Sequence, residues 1–412
     1  MTSRAHVLVA NAGTLHSFRT ATGLRRHGLL KRCVTSLYFR DQHFRMLPPA
    51  LRKDALQWTA NRRCGDLDGV VTTNAWRELV CLAARRLRIG SETEWLEWRN
   101  RRFCAWAARH CLNDVRLVWA LDTSSYEIFV KAKPRGILCV LDMSIAHPAL
   151  GHRLMNEYAQ RRPELASSLD LSASDEAMER RRAEIELADH IVVGSSFVRD
   201  SLLEQGVSPS KITVNPYGVD IEHFRPRRDT PRTALRFLFV GWFSARKGIY
   251  DLLDAWALSG LGEAGHELVL AGGERKDLTC WAGAIPAGIQ FAGRVGHAEV
   301  PKLYESADVF VFPSLFEGSA RVILEAMASG LPVITTPAAC DEHWVVDRQT
   351  GFRVAAGDAA ALASRMRELA EQPALRAELG ARGFALVQRY TWATYGDRCA
   401  ATCRGLLGLP QC

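Results

Sequence analysis

Glu317 and Glu325 stand with seven residues between them in the stretch 308–336. The stretch opens on an apolar run, DVFVFPS (308–314), which suits a strand buried on both faces. Helical spacing follows from 320, with Val322, Ile323, Ala326 and Met327 on one side. Ser319 is placed to cap the start and Gly330 to end it. Glu317 then precedes the helix, and Glu325 lies about two turns along it. Rise per residue puts them roughly 9–12 Å apart along the axis. Carboxylates accept from vicinal hydroxyls, and the Gly318 and Ser319 N–H groups at a helix start attract an anion. One such element can hold a hydroxylated ring at each end and phosphates between. Two glutamates at this spacing on any surface helix would mean little. Here they fall at a strand end, across a Gly-Ser helix start, where open α/β sheets bind ligands.

Other candidates sit where elements must aim them. Residues 236–241 read as a strand, and 241–248 as a loop facing the same phosphates. Lys247 and Gly248 open the next helix, where a lysine adds mobile positive charge against a departing diphosphate. Arg246 precedes it. A strand over 288–293 reaches Arg294. A first strand over 6–10 leads to Gly13, whose freedom allows a tight turn at the strand end. No complete G-x-G-x-x-G follows, so a dinucleotide site is not indicated. A strand over 136–141 ends near His147, held by Pro148 just beyond the strand; a structural loop histidine is the competing reading, and His152 the nearby rival.

The elements around these residues alternate strand and helix throughout, the pattern of parallel sheets. Helical spacing continues from Gly13 through Leu29 and Leu30, and recurs over 75–88, 94–111, 176–187, 197–205, 359–369 and 373–388. A last helix starts at 391. The segment 41–115 mixes Trp76, Trp95, Trp98 and Trp106 with Arg85, Arg86, Arg101 and Arg102. It fits either a membrane surface or a packed core with snorkelling arginines. Asp66 and Asp68 form a D-x-D among glycine and arginine with no buried strand before it, and read as a loop.

Charge divides unevenly. Residues 1–230 carry 35 Lys and Arg against 26 Asp and Glu, whereas 231–412 carry 18 against 19. The basic half suits an acidic partner such as a phospholipid surface or a diphospholipid acceptor, though arginine doublets on solvated faces account for much of it. The eleven cysteines are scattered without a C-x2-C pair, which points to neither a zinc site nor a disulfide framework and fits a reducing cytosol. No apolar run reaches membrane-spanning length and no leader pattern opens the sequence, so a soluble or peripheral protein is expected.

Residues 241–357 resemble the C-terminal domain of the retaining GT-B glycosyltransferases of family 4. The pieces occur in order: Gly241 to Lys247-Gly248, LAGG (270–273), FAGR (291–294), Pro313-Ser314, the glutamate pair, ASGLP (328–332) and TGF (350–352). The resemblance implies an α/β GT-B fold, two facing Rossmann-like domains with the active site in the interdomain cleft. Its parts would be an acceptor-side domain over 1–225, a linker over 225–231, a nucleotide-sugar domain over 232–390, and a C-terminal helix over 391–412 crossing back. It implies hexosyl transfer from a nucleotide diphosphate sugar to a hydroxyl acceptor (a glycan, a lipid-linked molecule or a small molecule), with retention. The mechanism would be front-face, the diphosphate oxygen taking the acceptor proton. Lys247 would stabilise the departing diphosphate, Glu325 hold ribose hydroxyls, and Glu317 the transferred sugar, with His147 meeting that sugar from the opposite domain. Gly13, Arg246, Arg294, Gly318 and Ser319 would complete the donor site. No metal or cofactor is expected, because Lys247 and the helix start supply the positive field. No nucleic-acid partner is expected either, and the location would be cytoplasmic, including the inner membrane face. The family usually has arginine directly after the first glycine; here that position is Trp242, and Arg246 would supply the charge. A GT-B sugar-nucleotide epimerase and a non-catalytic sugar-nucleotide-binding protein are the alternatives.

Overall fold

The computed structural model describes residues 6–40, 42, 59, 62–87, 89–169, 175–226, 234–281, 283–296 and 298–411. Of the expected linker, residues 227–231 lie outside these, as does much of the Trp- and Arg-rich segment before residue 62.

Two parallel sheets carry the chain. The first is built from β1 (Val7–Asn11), α1 (Ser17–Arg26), β2 (Leu30–Thr35), β3 (Val71–Thr73), α2 (Trp76–Arg86), α3 (Glu92–His110), β4 (Leu117–Leu121), α4 (Tyr126–Ala132), β5 (Leu138–Met143), α5 (Pro148–Arg161), α6 (Asp175–Leu187), β6 (His190–Val193), α7 (Ser196–Leu203) and β7 (Ile212–Val214). Its strand order is β3-β2-β1-β4-β5-β6-β7. The central strands β1 and β4 are buried throughout, as continuous apolar runs covered on both faces must be.

The second sheet comprises β8 (Arg236–Val240), α8 (Ile249–Ser259), β9 (Glu267–Ala271), β10 (Ile289–Gly293), α9 (Val300–Glu305), β11 (Val309–Phe312), α10 (Arg321–Ala328), β12 (Val333–Thr335) and β13 (Gly351–Arg353). The order is β10-β9-β8-β11-β12-β13. After it come α11 (Ala359–Glu371), α12 (Pro373–Val387) and α13 (Trp392–Leu407). Helix α13, capped by Thr391, returns to the first sheet. Tyr395 meets the Thr20 hydroxyl at 2.9 Å, and Gly23 and Gly396 lie so close that a Cβ on either would strike the other backbone.

Each sheet reverses its strand order at one place, between β1 and β4 in the first and between β8 and β11 in the second. Loops leaving neighbouring strands there diverge and open a crevice. The loops after β8 and β11 carry Lys247 and Glu317; those after β1 and β4 carry Gly13 and Asp122. Both crevices meet in one cleft. Tyr158 donates to Asp251 at 2.9 Å and Arg162 to Asp254 at 2.9 Å, tying α5 to α8 across it.

Several element ends differ from expectation. The helix after Gly13 ends at Arg26 rather than running through Leu30, because Gly28 turns left-handed (φ 69°) and Leu30 already belongs to β2. Helix α10 starts at Arg321 with Ala320 as N-cap, so Ser319 does not cap it. Lys247 sits in a 3-10 turn, Ala245–Lys247, and α8 begins only after Gly248, which takes φ 71° and leaves no room for a Cβ beside the Pro313 carbonyl.

Candidate active site

The cleft holds a cavity of about 520 Å³. On the first-domain side Asn11, Gly13, Asp122, Ser144, His152 and Arg181 line it; Arg246, Phe316 and Glu317 close it from the second domain. Glu317 is buried and is the polar centre of that wall. Its Oε1 accepts from Lys247 Nζ at 2.7 Å, Arg246 Nη1 at 2.9 Å and Ser314 Oγ at 2.7 Å. The loops after β8 and β11 are thereby locked together by one carboxylate oxygen. Oε2 takes none of these bonds. Burial alone would raise the Glu317 pKa, but Lys247 and Arg246 outweigh it and hold the carboxyl below its usual range. Burial also lowers the Lys247 pKa, against the pull of Glu317.

Gly318 presses against the first domain. A Cβ there would overlap the Ser144 carbonyl, and the Ser195 hydroxyl donates to the Gly318 carbonyl at 2.5 Å. The neighbouring Ser319 hydroxyl is buried and has no hydrogen-bond partner among the described residues. A buried hydroxyl left unpaired is costly, and this side chain packs against Gly194 of the first domain. Farther along α10, Glu325 is half-buried and accepts from the Tyr304 hydroxyl at 3.0 Å. Burial raises its pKa, opposed by Arg321 and by the Tyr304 bond.

His147 is buried and caps α5: its Nδ1 accepts from the Ala149 N–H at 3.2 Å. Burial first, and Arg182 second, lower its pKa and favour the neutral ring. The cavity wall carries His152 instead, an exposed side chain beside Asn156. Arg294 lies over the Trp242 ring at 4.9 Å, and Trp242 is 63% exposed. Gly13 donates its N–H to Asn11 Oδ1 at 3.0 Å. Asp68 of the D-x-D accepts from the Tyr38 hydroxyl at 2.6 Å.

Sequence reading missed the first-domain carboxylates. Asp122 accepts twice from Ser144 Oγ, at 2.8 and 3.1 Å, and burial pushes its pKa up to about 6, with Glu184 and Asp142 adding to the rise. Glu184 accepts from the N–H groups of Thr123, Ser125 and Tyr126 at 2.8 to 3.1 Å, filling the start of α4. The only signal for Asp122 was its place one residue past β4. Glu184 is one of five acidic residues on a charged helix and carries no signal at all.

Residues 234–372 match the family model for glycosyl transferases group 1. A phosphatidyl-myo-inositol mannosyltransferase of Mycobacterium leprae is 34% identical over 173 residues, covering 41% of this chain and 46% of that protein. The chain spans about half the length of the curated relatives it matches. Solved structures align over nearly all of it. Sucrose-phosphate synthase from Thermosynechococcus elongatus has a TM-score of 0.65 at 20% identity, covering 98% of this chain and 100% of that one. Anabaena HepE in complex with UDP-glucose has a TM-score of 0.63 at 16% identity, with the same coverage. The family match thus lies in the second domain, residues 234–372, and the chain as a whole has the GT-B fold, two facing parallel-sheet domains around one cleft.

Proposed function

We propose that the chain transfers a hexosyl group from a nucleotide diphosphate sugar to a hydroxyl acceptor, with retention of configuration and without a metal ion. The observation that carries this reading is the Glu317 carboxylate held by Lys247 and Arg246 on the cavity wall. Two cations on adjacent residues match a diphosphate in charge. Their present partner is a single carboxylate oxygen, which leaves a net positive charge on this wall for a diphosphate to share. Glu325, eight residues on, takes the ribose hydroxyls in place of the Tyr304 hydroxyl, and Glu317 Oε2 faces a sugar hydroxyl. Positive charge at Lys247 and Arg246 stabilises the diphosphate as the glycosidic bond breaks. The acceptor hydroxyl attacks from the same face, its proton passing to the diphosphate oxygen that leaves.

The first-domain side of the cavity is the acceptor's place, lined by Asp122, Arg181 and the polar first half of α3. An epimerase has no use for that space, which favours transfer over isomerisation. The named relatives include a mannosyltransferase of a phospholipid and an Anabaena protein bound to UDP-glucose. These support a nucleotide-sugar donor and a lipid-linked acceptor for this chain, handled at the inner face of a membrane. Among the described residues no helix is long and apolar enough to cross one.

The test is a panel of nucleotide sugars with and without candidate acceptors, read for nucleoside diphosphate and glycoside together. Release that needs an acceptor supports transfer. An altered sugar on an intact nucleotide, or saturable binding with no product across the panel, overturns it.

A further inference from the structure

Helix α2 is turned inside out. Its inward face carries Glu78, Cys81 and Ala84, all buried. Glu78 accepts from Ser36 at 2.8 Å, Arg62 at 2.6 Å and Arg99 at 3.1 Å. Its outward face carries Trp76, Leu79, Val80, Ala83 and, one turn on, Leu87, all exposed. That spacing is one continuous stripe along a helix. Trp76 is 52%, Leu79 54% and Leu87 68% exposed, and Ile89 follows at 53%. Five of the nine exposed large apolar residues described in the chain fall within 76–89, so the stripe is a patch and not a scatter. A surface helix ordinarily points such residues at the core, and a contiguous outward patch marks a surface that binds something.

The flanking charge identifies the occupant. Residues 79–91 hold three arginines and no Asp or Glu. Arg85 and Arg86 are exposed and line a groove of about 570 Å³ with Leu82, Ile89, Glu92 and Trp95; Arg85 pairs there with Glu92 at 2.9 Å, an exposed surface pair that a lipid phosphate can exchange. Two copies meeting through this face would bring three arginines of each chain together against few carboxylates, Glu92 being already paired with Arg85. An anionic bilayer matches both parts, accepting the apolar stripe among its acyl chains and the guanidinium groups at its phosphates. Helix α3 links this face to the cleft. Trp98 packs edge-on to both Trp76 and Trp95, and the same helix lines the cavity through Thr93, Glu97 and Asn100.

We propose that α2 and the turn after it dock on an anionic phospholipid bilayer, with Trp76, Leu79, Val80 and Leu87 at the headgroup boundary and Arg85 and Arg86 on lipid phosphates. This narrows the membrane contact of the preceding reading to one face, and it stands whether or not the chain transfers sugar. The test is sedimentation of the full chain with vesicles of phosphatidylcholine alone or mixed equally with phosphatidylglycerol. The wild-type chain is expected to bind the mixed vesicles about tenfold better than the neutral ones. The triple variant W76S/L79S/L87S is expected to lose that binding about tenfold, and R85Q/R86Q to lose the preference for anionic lipid. Nucleoside diphosphate affinity measured without vesicles should be unchanged in both; it reports on the transferase site separately. Binding by the triple variant equal to wild type overturns the proposal. So does a wild-type chain that ignores both vesicles, or one that forms a dimer through this face that the triple variant abolishes. Should the triple variant aggregate, R85Q/R86Q decides alone: unaltered anionic preference overturns the proposal.

Discussion

Replacing Glu317 by glutamine separates its two roles. The side chain keeps its shape but loses its charge. The bonds from Lys247 at 2.7 Å and Arg246 at 2.9 Å then become bonds to a neutral amide, while the Ser314 bond survives. Charge-assisted bonds are worth roughly 1.5–3 kcal/mol and neutral ones about 1 kcal/mol, so the pair loses about 2–3 kcal/mol. Two half-buried cations are also left facing each other, which acts in the same direction. The melting temperature of the free protein should fall by about 2–4 °C for a chain of this length. A bound nucleoside diphosphate restores the missing negative charge. Its affinity in E317Q should therefore match or exceed wild type, and the melting shift it causes should be larger. Turnover should fall on the order of tenfold or more for a loss of ~1.4 kcal/mol at the transferred sugar. Calorimetry with uridine and guanosine diphosphate, thermal melts with each, and kcat/KM on the best donor measure all three. A variant that loses nucleotide affinity as severely as K247A refutes the reasoning, because Glu317 would then bind the nucleotide and not the sugar.

Arg246 and Lys247 share one acceptor oxygen, so R246A and K247A should each lower kcat/KM on the order of tenfold, and W242R should add little; a silent R246A in an active enzyme removes the idea that Arg246 stands in for the missing arginine. E325A should weaken nucleotide and nucleotide sugar alike by roughly 1.5–3 kcal/mol, without unfolding the chain, since the Tyr304 hydroxyl keeps the Val322 carbonyl at 3.2 Å; unchanged nucleotide affinity in a folded variant rules out the ribose role. Asp122 takes up a proton on folding between about pH 4 and pH 6, because its pKa rises from 3.8 to about 6. Its contribution therefore makes the protein more stable as pH falls through that window, so D122N should raise stability at pH 7 by about 1–3 kcal/mol and flatten the dependence below it. Denaturant titrations at a series of pH values check the sign, and equal slopes in both proteins count against a buried Asp122.

What the sequence made legible was the second domain, where the β11-α10-β12 crossover stands as one contiguous stretch. Apolar runs such as 309–312 can only be buried strands, and Glu317, Lys247 and Arg246 lie near one another because neighbouring strand ends must converge. Harder to read were strands disguised by charge. Residues 30–35 include Lys31 and Arg32, both half-buried in β2, one strand in from the sheet edge, and the three-residue strands β3 and β13 are too short for periodicity to show. The Ser319 position illustrates a different limit. A serine before an apolar helix normally caps it, but here close packing of Gly318 against Ser144 holds the loop extended for two more residues. His147 stands past β5, and its Nδ1 also caps the helix that it precedes, a second task that spacing alone does not show. The outward stripe of α2 has ordinary helical spacing, and only packing shows which face looks out.

The most direct measurement follows the anomeric configuration of the product by NMR, in excess chelator, with the donor and acceptor that the panel selects. Glycoside should form in step with nucleoside diphosphate, carry the anomeric configuration of the donor, and be abolished in K247A. An inverted product, a full loss of activity on chelation that magnesium or manganese restores, or undiminished turnover in K247A would contradict a retaining transfer driven by the cation pair on the cleft wall.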